Sequence, residues 1–154
     1  MTVGISGQRP TTLDTKALQE FVTATLEREG VSGDAELTIS FVGNDEIATL
    51  NEEHLGKAGP TDVLSFPIED ATPGVPPQAG NGGPPLALGD IFISTDIVTA
   101  HAAEHNVPFD DELHLMVCHG VLHILGWDHV DDEDAEKMEA REAHHLATIG
   151  KARR

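Results

Sequence analysis

The sequence predicts an α+β domain: a mixed sheet of four strands with about five helices packed on it. Three observations carry that reading. Strand-like and helix-like periodicities alternate through residues 2–50. Two strand-like segments then follow one another around a Pro/Gly-rich stretch. Three helical segments complete the order. With 154 residues, one domain spanning residues 1–154 has the volume for a real core.

Each element has its own signal. Residues 2–6 alternate like a short strand. Residues 14–29 carry Leu18, Phe21, Val22 and Leu26 at helical spacing, with Gly30 as a stop. Residues 36–42 alternate Leu37, Ile39 and Phe41 with Thr38 and Ser40, which is a strand with one buried face. Asn44 is placed to cap a short helix carrying Ile47 and Leu50. Residues 62–68 are apolar enough for a buried strand.

Residues 69–87 are the low-complexity stretch, with Pro73, Pro76, Pro77, Pro84 and Pro85 among Gly74, Gly80, Gly82 and Gly83. Prolines lack donors and glycines lose much entropy on ordering, so a mobile loop dispensable for the fold is expected there. Residues 88–95 form the next strand, and Thr95 or Asp96 opens a helix to about residue 106. Pro108 restarts the chain. A helix over residues 110–125 packs through Leu113, Met116, Val117 and Leu122. Asp131 or Asp132 caps a last helix ending near residue 149. The chain shows no repeat and no second domain.

Composition excludes several classes. No run approaches the roughly 18 apolar residues of a membrane span. The first residues lack a basic-then-apolar leader, so no signal peptide is expected. Cys118 is the only cysteine, which rules out an internal disulfide and fits a reducing cytoplasm. It points away from the face of His119 and reads as a small buried residue. Lys and Arg total 9 against 27 Asp and Glu, a net charge of −18. That balance opposes nonspecific RNA binding, because phosphate contacts normally come from Lys and Arg.

The chemistry concentrates in HGVLHILGWDH, residues 119–129. On a helix, His119 and His123 project from one face. Gly126 stands where the helix should end, and its turn lets His129 return toward the pair. A His pair alone is most often surface or packing. The glycine and the third His convert it into the ligand set of a catalytic zinc site, three imidazoles with one open position. Metzincin proteases share nearly this spacing but carry Glu directly after the first His as general base. Here that position is Gly120, so a protease is not expected.

Around this motif, Asp128, Glu112, Asp62 and Asp90 are candidate acceptors for the outer N–H of a bound imidazole. Asp128 equally suits a turn cap. Residues 131–134, all acidic, lack the alternation and central Gly of a calcium loop and read as a solvated helix start. His144 and His145, near the end of the last helix, and His54, His101, His105 and His114 are expected on the surface or in packing roles.

HGVLHILGWDH resembles the signature of the YbeY-type endoribonucleases, bacterial factors for ribosomal RNA maturation that hold a metal with three His. GPTDVLSFP (residues 59–67) and LGDI (residues 88–91) resemble the family's second and third motifs, in the same order, over about residues 35–141. The resemblance implies the same α+β arrangement and a single-strand-specific, zinc-dependent endoribonuclease of small-subunit maturation and ribosome quality control. Its cofactor would be one Zn2+ held by His119, His123 and His129, whose bound water is the nucleophile. Asp128 is the candidate accessory carboxylate. Thr61 and Ser65 would position a phosphate, the alternative being that Thr61 and Asp62 merely organise a turn. The implied partners are ribosomal RNA, small-subunit proteins and an assembly GTPase. Two positions depart from the family: Leu55 stands where it usually has Arg, and Ala58 where it has Asp. Lys57 is left as the nearby charge. Two other classes remain open, a noncatalytic metal-containing ribosome-assembly factor and a metal-dependent hydrolase of a small ester or amide.

Overall fold

A computed structural model describes residues 1–80 and 82–154. Among them the chain forms four strands and five helices in the predicted order: β1 (Thr2–Gly7), α1 (Thr15–Arg28), β2 (Ala35–Val42), α2 (Asn44–Leu55), β3 (Val63–Pro67), β4 (Leu86–Ser94), α3 (Thr95–Glu104), α4 (Phe109–Ile124) and α5 (Asp132–Ala147). The strands lie in the order β1-β2-β4-β3. β1, β2 and β4 run parallel, and β3 runs antiparallel to β4. Parallel neighbours need long crossovers, which α1 supplies between β1 and β2, and the segment through α2 and β3 supplies between β2 and β4. No described helix is long and apolar enough to cross a membrane.

The alternation in β2 gives the expected one-faced burial, with Leu37, Ile39 and Phe41 inside. These residues and Ile91 and Ile93 of β4 pack with Leu18, Val22 and Leu26 of α1 and with Leu113, Val117 and Leu122 of α4. Each such side chain contributes about 1.5–3 kcal/mol through burial. α4 is the hub of the fold, touching α1, α3, α5, β3 and β4. Its residues 112–118 are all buried, so the helix cannot shift without disturbing the core. Cys118 is 0% exposed and burial pushes its thiol up. It is packing, as its position suggests.

Two expectations are corrected. Gly43, not Asn44, occupies the N-cap of α2. Asn44 is the first helical residue, and its Oδ1 accepts instead from Ser94 Oγ at 2.7 Å. β4 begins at Leu86, two residues inside the stretch read as a loop. Its amide donates to Asp34 O at 2.8 Å and it pairs with Ala35, and ladder bonds to β2 outweigh the flanking Pro and Gly. Two residues of the 69–87 stretch bond to the turn that follows α1. Gln78 Nε2 donates to Gly30 O at 2.8 Å and Ala79 N to Ser32 O at 3.4 Å. Residue 81 of the expected mobile loop lies outside the described residues.

Candidate metal and RNA site

α4 presents His119 and His123 one turn apart at its C-terminal end. The helix stops because Gly126 takes φ +94°. Gly126 N then donates to His123 O at 3.0 Å and Trp127 N to Leu122 O at 3.0 Å. This is the paired closure of a Schellman stop. No other residue type fits at Gly126, since a Cβ there would lie 2.2 Å from Ala71 O. The reversed chain brings His129 back beside the pair. Ring centroids lie 4.4 Å apart for His119–His123, 5.1 Å for His123–His129 and 5.4 Å for His119–His129. One ligand nitrogen from each falls within 4.8 Å of the others, so the three could hold a metal ion.

Two of the three rings have an acceptor facing the outward nitrogen. His123 Nδ1 lies 2.9 Å from Trp127 O, so as Nδ1–H it donates to that carbonyl. His119 Nδ1 lies 3.5 Å from Glu142 Oε2. The two Nε2 atoms therefore face each other, at 2.9 Å. Burial, with the His119 and His129 charges, lowers the His123 pKa to about 4. The ring is thus neutral near pH 7, with its Nε2 lone pair turned inward. A neutral imidazole turned on the cluster and held from behind by an acceptor, as His123 is by Trp127 O, is what a bound cation requires.

Gly120 shows why no Glu follows the first His. A Cβ at that position would meet Ser65 Oγ at 3.1 Å and Ile91 Cγ2 at 3.2 Å. This position faces the sheet, and a carboxylate there would collide with it. Ser65 Oγ instead donates to Gly120 O at 3.0 Å, joining β3 to the metal helix.

A cleft of about 760 Å³ opens over the three rings. Leu55, Lys57, Thr61, Ser65 and Asp128 all line it. The cleft therefore gathers the three His with Leu55, Lys57, Thr61, Asp62, Ser65 and Asp128, while the candidate acceptors Asp90 and Glu112 are not on its lining. Thr61 Oγ1 donates to Asp62 Oδ1 at 3.3 Å, and the same oxygen accepts from Val63 N at 2.8 Å. That is turn organisation, with the hydroxyl still on the cleft wall. Asp128 Oδ1 accepts from His129 N at 2.8 Å and caps the turn. Asp62 pairs with His101, at 3.2 Å, rather than with a triad imidazole. Glu112 pairs with Arg154.

The acceptors that do reach the triad are Trp127 O and Glu142. Glu142 went unremarked in the sequence, yet α5 buries Met138, Glu142, His145 and Leu146 as one stripe. A carboxylate at helical spacing within an apolar stripe was the available signal. Of the surface or packing roles expected for His145, the structure shows the buried one, at 0% exposure. Its Nε2–H donates to Glu29 Oε2 at 2.7 Å. Glu29 Oε1 accepts from Trp127 Nε1 at 3.1 Å, and Arg141 binds the same carboxylate through Nε at 3.0 Å and through its second nitrogen. Burial alone would raise the Glu29 pKa, but hydrogen bonds from His145 and Arg141 outweigh it and hold the group below its usual value. Residues 131–134 are exposed, and Asp131 caps α5 by accepting from Asp134 N.

Comparisons with known proteins agree with this architecture. The family model described as endoribonuclease YbeY matches residues 6–150. The chain is 39% identical to the endoribonuclease YbeY of Bacillus subtilis, over 88% of this chain and 85% of that one. It is 44% identical to the Chromohalobacter salexigens protein of the same name, over 84% and 79%. For the Salinispora tropica protein the identity is 36%, over 96% of each. A solution structure from Thermotoga maritima superposes with a TM-score of 0.61 at 27% identity, covering 96% of this chain and 91% of that one. With a family match across nearly its whole length and the three motifs gathered on one cleft, the chain belongs to the YbeY endoribonuclease family.

Proposed function

We propose that this protein is a metal-dependent endoribonuclease that cleaves single-stranded segments of ribosomal RNA during small-subunit maturation and quality control. The observation that carries the reading is the three-His group lining an open cleft of about 760 Å³. His119, His123 and His129 would hold one ion, and an all-imidazole set with open space beside it suits zinc. Such an ion supplies Lewis acidity, both to activate water and to neutralise charge developing on a phosphoryl oxygen.

The remaining steps fall to side chains of the cleft. Trp127 O and Glu142 orient the rings of His123 and His119. Thr61 and Ser65 offer hydroxyls to phosphate oxygens, and Lys57 adds a charge. Asp128 spends Oδ1 on the turn, and its Oδ2 is the atom to which we assign proton handling beside His129. The partners that follow are ribosomal RNA and, as the family resemblance implies, small-subunit proteins and an assembly GTPase acting in the cytoplasm.

The test is turnover of a structured RNA by the purified protein, together with elemental analysis of the ion. Loss of turnover in His123→Ala with retained folding supports the reading. Metal-loaded protein that binds ribosomal RNA without cleaving it would favour the noncatalytic assembly factor.

A further inference from the structure

The cleft is short of positive charge for a site meant to hold RNA. Leu55, 51% exposed on its wall, offers no donor. The lining cations are Lys57, Arg153 and Arg154, three of the 9 Lys and Arg in the chain. Two of the three come from residues 151–154, the segment that follows α5 and folds back over the first turn of α4.

That segment is pinned at both ends. Lys151 Nζ reaches Asp111 Oδ1 at 2.7 Å and Asp110 Oδ2 at 2.9 Å. Arg154 grips Glu112 with a two-pronged contact, Nε to Oε1 at 2.6 Å and its second nitrogen to Oε2 at 3.0 Å. The Glu112 side chain is 0% exposed, so Arg154 neutralises a buried charge and is a structural anchor.

Arg153, between the anchors, is held differently. Its Nε stands 3.5 Å from Glu142 Oε1, and its terminal nitrogen donates to Glu139 Oε1 at 3.2 Å. Glu139 is 51% exposed, so that partner is hydrated and exchangeable at little cost. Glu142 is the carboxylate behind His119. A guanidinium beside it lies on the cleft lining with the triad. Its other terminal nitrogen donates to the exposed Arg154 O at 3.1 Å, so the Glu139 and Arg154 O contacts both exchange when its fork meets a phosphate.

We propose that residues 151–154 form a phosphate-binding arm of the cleft, with Arg153 as the side chain that meets an RNA backbone phosphate. The proposal rests on the ribonuclease reading for its substrate. It accounts for a cleft that has Leu55 in place of a cation: the charge arrives from residues 151–154 and adds to that of Lys57 on the same lining. The competing role is neutralisation of Glu142 alone, which would not respond to nucleic acid.

The experiment compares the full chain with Arg153→Ala and Arg153→Lys. Each is tested for binding a single-stranded DNA oligonucleotide, which lacks the 2′-hydroxyl, across a range of salt, and for RNA turnover, metal content and melting temperature. In Arg153→Ala, oligonucleotide binding should weaken about tenfold, and the slope of log affinity against log salt should fall by about 0.7. KM should rise more than kcat changes, with metal content and melting temperature kept, and Arg153→Lys should recover part of the loss. An unchanged slope and KM would overturn the arm, as would absence of oligonucleotide binding by the unmodified protein at low salt. A rise in kcat/KM in Arg153→Ala would also overturn it, by showing that the segment obstructs the cleft. Oligonucleotide binding that depends on Arg153 without RNA cleavage would leave the arm standing and remove the ribonuclease reading. Cleavage indifferent to Arg153 would do the reverse.

Discussion

Glu29 and Glu142 are two buried carboxylates, with side chains 4% and 3% exposed, and each supports one imidazole of the triad. They are built in opposite ways. Glu29 is surrounded by donors from Trp127, Arg141 and His145 at normal hydrogen-bond distances. It acts on His123 at one remove, by fixing the indole of the residue whose carbonyl faces His123 Nδ1. Glu142 stands directly behind His119, but its contacts to His119 Nδ1 and Arg153 Nε are both 3.5 Å long. A saturated carboxylate fixes a position. A loosely held one can follow a ring as it settles on a ligand. The site thus has a rigid side at His123 and an adjustable side at His119, and the two should respond differently to substitution.

The largest effect tests whether both sides serve one ion. His119→Ala, His123→Ala and His129→Ala should each abolish stoichiometric metal, read by elemental analysis, while circular dichroism shows the fold retained. An ion that survives loss of any two of the three would sink the shared site, and the comparison with it.

The two carboxylates come next. Glu29→Gln removes the charge facing Arg141 and His145 and should cost roughly 2–4 kcal/mol in denaturant unfolding. Through Trp127 it should also weaken metal affinity about tenfold. Glu142→Gln should weaken metal affinity by a similar factor yet cost less stability than Glu29→Gln, because both of its contacts are 3.5 Å long. Equal stability losses in the two variants would erase the distinction between a rigid and an adjustable side.

Acid separates two groups within the rigid side, His123 and Glu29, by pH window. His123 has a folded pKa of about 4 against an ordinary 6.5, so the unfolded chain binds the proton first. In chelated protein, stability should therefore decline as pH falls from 6.5 toward 4. Glu29 is an acid held below its ordinary 4.5. Its contribution is present above 4.5 and is lost as pH drops through the lower folded value. Urea midpoints against pH should show His123→Ala flattening the upper window and Glu29→Gln the lower one. The opposite assignment would mean that other groups control acid unfolding.

The sequence carried the parts of this molecule that repeat with a period or depend on one residue type. β2 alternates, α1 and α4 show their stripes, and Gly126 between His123 and His129 marks the turn that assembles the triad. What stayed hidden depends on partners far apart in the chain. Glu29 and His145 are 116 residues apart, and Glu112 and Arg154 are 42. Nothing local distinguishes these charges from solvated ones, so the pairing of His145 with Glu29 was not legible and Asp62 and Glu112 looked like equal candidates to orient the triad. The strand hidden at Leu86 has the same cause, since its pairing with Ala35 is invisible beside so much Pro and Gly.

The smallest effect concerns the wall opposite these carboxylates. Leu55 is the last residue of α2, and Gly56 turns the chain away in the left-handed conformation. Asn51 Nδ2 then donates to Gly59 O at 3.0 Å, which fixes the path of residues 56–59 along the cleft. An Arg at position 55 would start from a defined backbone and extend over the cleft toward the phosphate path. Its fork suits a phosphate better than the single ammonium of Lys57 does. Because the position is half exposed, the gain should be under about 1 kcal/mol, a few-fold in KM. Leu55→Arg should therefore raise turnover of a structured RNA slightly, with metal content unchanged. Lys57→Ala should lower it by a similar factor. If Leu55→Arg does nothing while Lys57→Ala abolishes cleavage, the phosphate contact on this wall has moved to Lys57. If neither matters, this wall does not hold the strand, and cleavage of RNA in this cleft becomes untenable unless Arg153 alone accounts for binding.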